Sequence, residues 1–126
     1  MILDTTFVID LLDEDPAAIE TVEELVEARS RTALSSVTVF EVGVGLDTGE
    51  RERFDEIVDT MVVLPLGLEE ARQAVGIQRS LGDAGRPIGV IDALIAGTAT
   101  ASDDPVVLTR NVGEFERVDD LDVETY

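Results

Sequence analysis

The chain predicts an α/β layer fold with a central, mainly parallel sheet, and three observations predict it. Short apolar runs alternate with helix-forming segments along the whole sequence. The runs later in the chain read as near-continuous hydrophobic strands of the parallel-sheet kind. No repeat, low-complexity tract or linker interrupts the pattern, and 126 residues suffice for one domain with a single core. Folds of this class bind ligands beyond the carboxyl ends of their strands.

The first strand, MILD, is short and ends on Asp4. TFVIDLL then reads as a helical turn or two, and DEDP stops it, with Asp15 and Pro16 as N-cap and first helical residue of the next helix. Pro16 to Arg29 is amphipathic, with Ile19, Val22, Leu25 and Val26 on one face. TALS is a second short strand. SVTVFEVGVGL follows as an apolar helix despite its β-branched residues, and DTGE opens another helix carrying Phe54, Ile57 and Val58. MVVLPL reads as a buried strand, and GLEEARQAVGIQRSLGDAG as an amphipathic helix closed by glycine. RPIGVIDALIAGTA, from Arg86 to Ala99, reads as one apolar helix with Asp92 in its middle. PVVLTRN is a further buried strand, VGEFERV a short helix, and a last strand lies near VETY.

Composition narrows the chemistry. There is no cysteine and no histidine, which excludes disulfides, cysteine-ligated zinc and most catalytic triads. Aromatics are only 4%, so small aliphatic side chains do most of the packing. The opening MILDTTFVID puts acids where a signal peptide needs bases, and no apolar run reaches membrane-spanning length, so a soluble, cytoplasmic protein with no membrane partner is expected. The chain carries 28 acids against 9 bases, for a net charge of −19, and every base is arginine. Complete loss of lysine points to adaptation to a cytoplasm at molar salt, where the Debye length is about 3 Å and surface carboxylates are screened from one another. A merely acidic protein is the plainer alternative. On the halophilic reading the acidity says little about the ligand, and a nucleic-acid partner stays open.

Most of the acids stand in polar company and need only solvation. Asp4, Glu41 and Asp92 do not. Asp4 ends the first strand, Glu41 lies inside VTVFEVGVG, and Asp92 has Ile88, Ile95, Ala96 and Ala99 as its helical-wheel neighbours. A lone ionised carboxylate in such surroundings is costly unless compensated or protonated. No arginine lies in MILD, VTVFEVGVG or IGVIDALIAGTA. A bound divalent cation removes the difficulty, and an all-oxygen ligand set points to Mg²⁺, with Mn²⁺ as a substitute. Each acid also has a structural reading. Asp4 can N-cap the helix after it, and Glu41 completes a capping box with Thr38. Asp92 can N-cap a helix that begins later, or bond to a distant arginine.

The segments ILDTTFVIDLL, SSVTVFEVGVGL, IGVIDALIAGTA and VVLTRNVGEFERV resemble, in order and context, the PIN-domain ribonucleases, and look most like the VapC-type toxins of toxin–antitoxin modules. The likeness runs from the first strand to the last. It implies a PIN-like three-layer α/β/α sandwich with an acidic pocket at the carboxyl edge of its sheet. Asp4, Glu41 and Asp92 match the family's core acids, expected to be catalytic and metal-binding, and Thr6 its hydroxyl residue, expected to touch substrate. Asn111 stands where the family often has a fourth acid; its amide oxygen is still able to ligate Mg²⁺, directly or through water, but brings no charge, which leaves a second metal in doubt. Glu114, one turn on, is the alternative ligand, though an exposed helix residue is the preferred reading for it. Arg110 is a candidate contact to a substrate phosphate, with a surface ion pair as the equal alternative. The resemblance further implies Mg²⁺-dependent hydrolysis of RNA, inhibition by a small VapB-like antitoxin, and a homodimer.

Two other classes compete. A receiver domain or haloacid-dehalogenase-type phosphatase also places acids at strand ends, but both normally use a lysine, which this chain lacks, and DTT lacks the second aspartate of a D-x-D pattern. A PIN fold serving as a binding or regulatory module with weak or lost nuclease activity is favoured by Asn111 and disfavoured by the three retained acids.

Overall fold

The computed structural model describes residues 1–126. Five parallel strands form one sheet in the order β3-β2-β1-β4-β5. They are β1 Ile2–Leu3, β2 Ala33–Ser35, β3 Val62–Leu64, β4 Val106–Leu108 and β5 Asp122–Glu124. Seven helices connect and cover them: α1 Thr5–Leu12, α2 Pro16–Glu27, α3 Ser36–Val44, α4 Thr48–Thr60, α5 Leu68–Asp83, α6 Val90–Thr100 and α7 Val112–Phe115.

The strands are short, but their two-residue period divides the interior into two cores. Ile2 and Val107 point to one face, where Ala93, Ile95, Ala96 and Ala99 of α6 meet Phe115 and Val118. Leu3, Leu34 and Leu108 point to the other, packing Phe7 and Val8 of α1, Ala18 of α2 and Phe54 of α4. Apolar groups on both sheet faces make the three-layer sandwich a consequence of sequence pattern.

Local signals fix the helix ends. Asp15 accepts from the Ala18 N–H at 3.1 Å with Pro16 in the first turn, and Asp47 and Glu50 form a reciprocal capping box. Gly85, at φ 72°, turns the chain after α5. No helix is long and apolar enough to cross a membrane.

Four readings of the sequence need correction. The segment MVVLPL is the edge strand β3 and not a buried one; Val62 is 61% exposed, because an edge strand has no neighbour on one side. Val26 leaves the apolar face of α2 for solvent at 72% exposure, while Val22 and Leu25 stay half-buried. Glu41 makes no capping box with Thr38, since Ser35 caps α3 by accepting from the Val37 N–H at 3.1 Å, and Thr38 is buried against Thr5 at 3.5 Å. Finally, α6 begins at Val90 and not at Arg86. Pro87 disfavours helix before it, and the Gln78 side chain takes both the N–H and the carbonyl of Ile88, at 3.1 and 2.6 Å, holding that segment extended.

Candidate active site

The later start of α6 changes where Asp92 stands. It lies in the first turn of the helix, three residues past the Gly89 N-cap position, and not in the middle of an apolar cylinder. A negative charge there is favoured by the helix dipole, yet the site counters that preference. Asp92 is half-buried, and its carboxyl is pushed up to about 8. Burial is the largest cause, followed by its hydrogen bond to Glu114 and the charges of Asp4, Glu114 and Glu41. Glu114 is held below the ordinary glutamate range, first by that same hydrogen bond. The two carboxyls are thus pushed in opposite directions, Asp92 toward its protonated form and Glu114 toward its ionised one.

Asp4 comes from the neighbouring strand ends. It is 1% exposed, and although it occupies the N-cap position of α1, its side chain caps nothing. Its Oδ2 accepts from the hydroxyls of Thr109 at 2.7 Å and Thr6 at 3.0 Å. Its Oδ1 is buried without any hydrogen-bond partner. Buried carboxylate oxygens are seldom left this way, because the lost hydration is not replaced.

Asn111 sits between the remaining acids, its Nδ2 donating to Asp92 Oδ2 at 3.0 Å and to Glu114 Oε2 at 3.2 Å. Gly89 leaves room beside the same oxygens: a Cβ there would stand 3.5 Å from Asp92 Oδ2 and 3.8 Å from Glu114 Oε2. Glu41, half-buried on α3, joins the group through its charge on Asp92 alone. Glu114 is thus drawn into the acidic group and does not stand as the exposed helix residue preferred above.

No three of these carboxylates close into a ready-made cation cage. Their chemistry nonetheless fits a hard divalent cation. The donors are all oxygens, one is buried and unpartnered, and another is pushed toward its protonated form by burial and then by its negative neighbours.

Arg110 is engaged elsewhere. Its guanidinium meets Asp10 at 3.0 Å and Asp15 at 2.9 Å and lies 4.5 Å above the Tyr126 ring, whose hydroxyl donates to Asp10 at 2.7 Å. The ion pair weighed for it from sequence is what the fold provides, in place of a group free for a phosphate. Thr6 orients Asp4 and accepts from the Arg110 backbone N–H at 3.3 Å.

Residues 1–121 match the PIN domain family. The chain belongs to that family. The tRNA(fMet)-specific endonuclease VapC of Shigella flexneri is 31% identical over 98% of this chain and 96% of its own length. Ribonuclease VapC19 of Mycobacterium tuberculosis is 30% identical over 95% of each. Among solved structures, the DNA-bound VapBC complex of Salmonella typhimurium superposes with a TM-score of 0.85 at 29% identity, covering 98% of this chain and 96% of that one.

Sequence reasoning missed Thr109 in this PIN domain. Thr109 had a usable signal: it is the hydroxyl that ends the buried run VVL, just as Asp4 ends MIL. The parallel register Leu3↔Leu108 puts the two residues side by side.

Proposed function

We propose that this PIN domain is a Mg²⁺-dependent endoribonuclease toxin of the VapC type, with Mn²⁺ able to substitute, restrained by a VapB-like antitoxin. The observation that carries it is the buried, unpartnered Oδ1 of Asp4, on a residue whose charge, with those of Glu114 and Glu41, bears on the half-buried Asp92. The names of the relatives support the substrate class and the partner.

Asp4 and Asp92 would hold the cation, with Glu41 direct or through water. A bound Mg²⁺ supplies an acidified water and neutralises charge on the scissile phosphate. The chain's own residues do the rest. Thr109 and Thr6 hold Asp4 Oδ2, fixing the direction of Oδ1. In hydrolysis a water oxygen bonds to phosphorus and one ester P–O bond breaks, so one proton leaves the water and one reaches the departing alkoxide. With neither histidine nor lysine in the chain, carboxylates and solvent carry both. Asp92, pushed up, and Glu114, held down, are the carboxyls placed for that transfer. Asn111 donates hydrogen bonds where a fourth acid would add charge, so a single cation is the expected stoichiometry.

The test incubates antitoxin-free protein with structured RNAs in molar KCl, with Mg²⁺ or Mn²⁺ and then with EDTA, beside an identically purified Asp92→Asn. Metal-dependent cleavage that falls by at least about a hundredfold in the variant is the expected result. A folded wild type as inactive as the variant on a wide RNA panel favours the binding-module reading instead. Homodimer formation belongs to the same proposal and is checked by the mass of the protein in solution.

A further inference from the structure

The chain's cations are few, and their placement is uneven. Of the nine arginines, only Arg53 and Arg110 lie within ion-pair distance of a carboxylate side chain. In so acidic a chain, an arginine without a carboxylate partner is a cation left available. Arg72 and Arg117 line the same groove, between α5 and the turn from α7 to β5, with a cavity volume of about 590 Å³. Arg79 stands two turns along α5 from Arg72, on the same stripe, and is exposed.

The groove adjoins the acidic site. Arg117 follows Glu114 by one turn, its N–H donating to the Glu114 carbonyl at 3.1 Å, and its charge helps hold Glu114 ionised. Its Nη1 donates to the Pro87 carbonyl at 3.2 Å, two residues before Gly89, which borders Asp92 and Glu114. Its Nε is buried with no acceptor. An acceptor brought into the groove satisfies that donor after a small rotation of the guanidinium. The walls between the two arginines are polar, with Gln73 and Ser80 from α5 and Thr100 at the end of α6. Asp119 and Asp120 also line it, carboxylates that repel phosphate and are able to accept from base amino groups.

We infer that this groove binds the single-stranded RNA leading away from the cleavage site, with Arg72 and Arg117 taking its phosphates and Asp119 and Asp120 its bases. The inference rests on the nuclease reading above and assigns its substrate track. Arg110, the arginine nearest the site in sequence, is excluded from that role by its ion pairs.

The experiment measures binding apart from cleavage. Fluorescein-labelled single-stranded RNA is titrated with the full chain in EDTA, by anisotropy, over a series of KCl concentrations. Arg72→Gln and Arg117→Gln are compared with wild type and with Arg53→Gln as control. Arg72 is exposed and pairs with no carboxylate, so its variant folds as wild type does. Each groove variant is expected to bind about tenfold more weakly, with the salt slope lowered by about 0.7 for each phosphate that is no longer neutralised, while Arg53→Gln is unchanged. Equal affinity and slope in wild type and Arg72→Gln, or no RNA binding by wild type, overturns the groove. Weakened binding in the variants without any metal-dependent cleavage by wild type keeps the groove and overturns the nuclease reading. Cleavage by wild type with unaltered binding in the variants does the reverse.

Discussion

A proton on Asp92 competes with a cation for the same carboxylate, and this sets a pH dependence. The folded carboxyl titrates at about 8, against about 4 in an unfolded chain. The folded state therefore holds the extra proton between those values. The stabilisation it brings is complete below about pH 4 and is lost as pH rises through 8. In EDTA this group should lower the melting temperature as pH climbs from 6 to 8.5. Added Mg²⁺ should raise it more at pH 8.5 than at pH 6, with affinity changing by about tenfold per pH unit below the titration point. A Mg²⁺ effect independent of pH would separate the cation from Asp92. At this scale the sequence was informative where a charge sat in apolar company, which is how Asp4, Glu41 and Asp92 stood out. It was silent on Thr109 because that residue meets Asp4 only through the pairing of β1 with β4, strands far apart in the chain. Glu114 was obscured by the number of acids that are merely solvated.

The element that delivers Asp92 is α6, and its position depends on a close crossing with α5. A Cβ on Gly97 would lie 2.7 Å from both the Ala74 nitrogen and the Glu70 carbonyl oxygen, and 2.8 Å from the Ala74 Cβ. Two of those atoms are backbone, so they cannot swing aside. Gly97→Ala is accordingly expected to destabilise the fold by about 1–3 kcal/mol in urea titration, against the gain of about 1 kcal/mol that alanine brings to an ordinary helix position. A stabilised variant would mean that the two helices do not cross this tightly. Helix boundaries that depend on local capping, at Asp15 and Asp47, were legible in sequence. The start of α6 was legible only in Pro87; the hold on Ile88 comes from Gln78, a side chain of a different helix, and left no local signal. The edge position of β3 was not legible, since an apolar run looks the same wherever the sheet places it.

Over the whole sequence, a net charge of −19 is carried by 126 residues, with 28 acids against 9 bases. Self-repulsion on that surface is screened by salt, so the melting temperature is expected to rise steadily between about 0.1 and 2 M KCl, beyond the point where an ordinary protein levels off. A melt indifferent to KCl would leave the charge as plain acidity. The sandwich itself was legible because strand and helix alternate without interruption, while the order of the strands in the sheet was not. The most direct test of the central claim, that Asp4, Glu41 and Asp92 form a cation site, is an anomalous-scattering map of crystals soaked in Mn²⁺ at pH 8.5. The account predicts a peak in contact with Asp4 Oδ1 and Asp92, absent from Asp92→Asn crystals. A saturated crystal with no peak there, or with Mn²⁺ bound only at other surface acids, would contradict it.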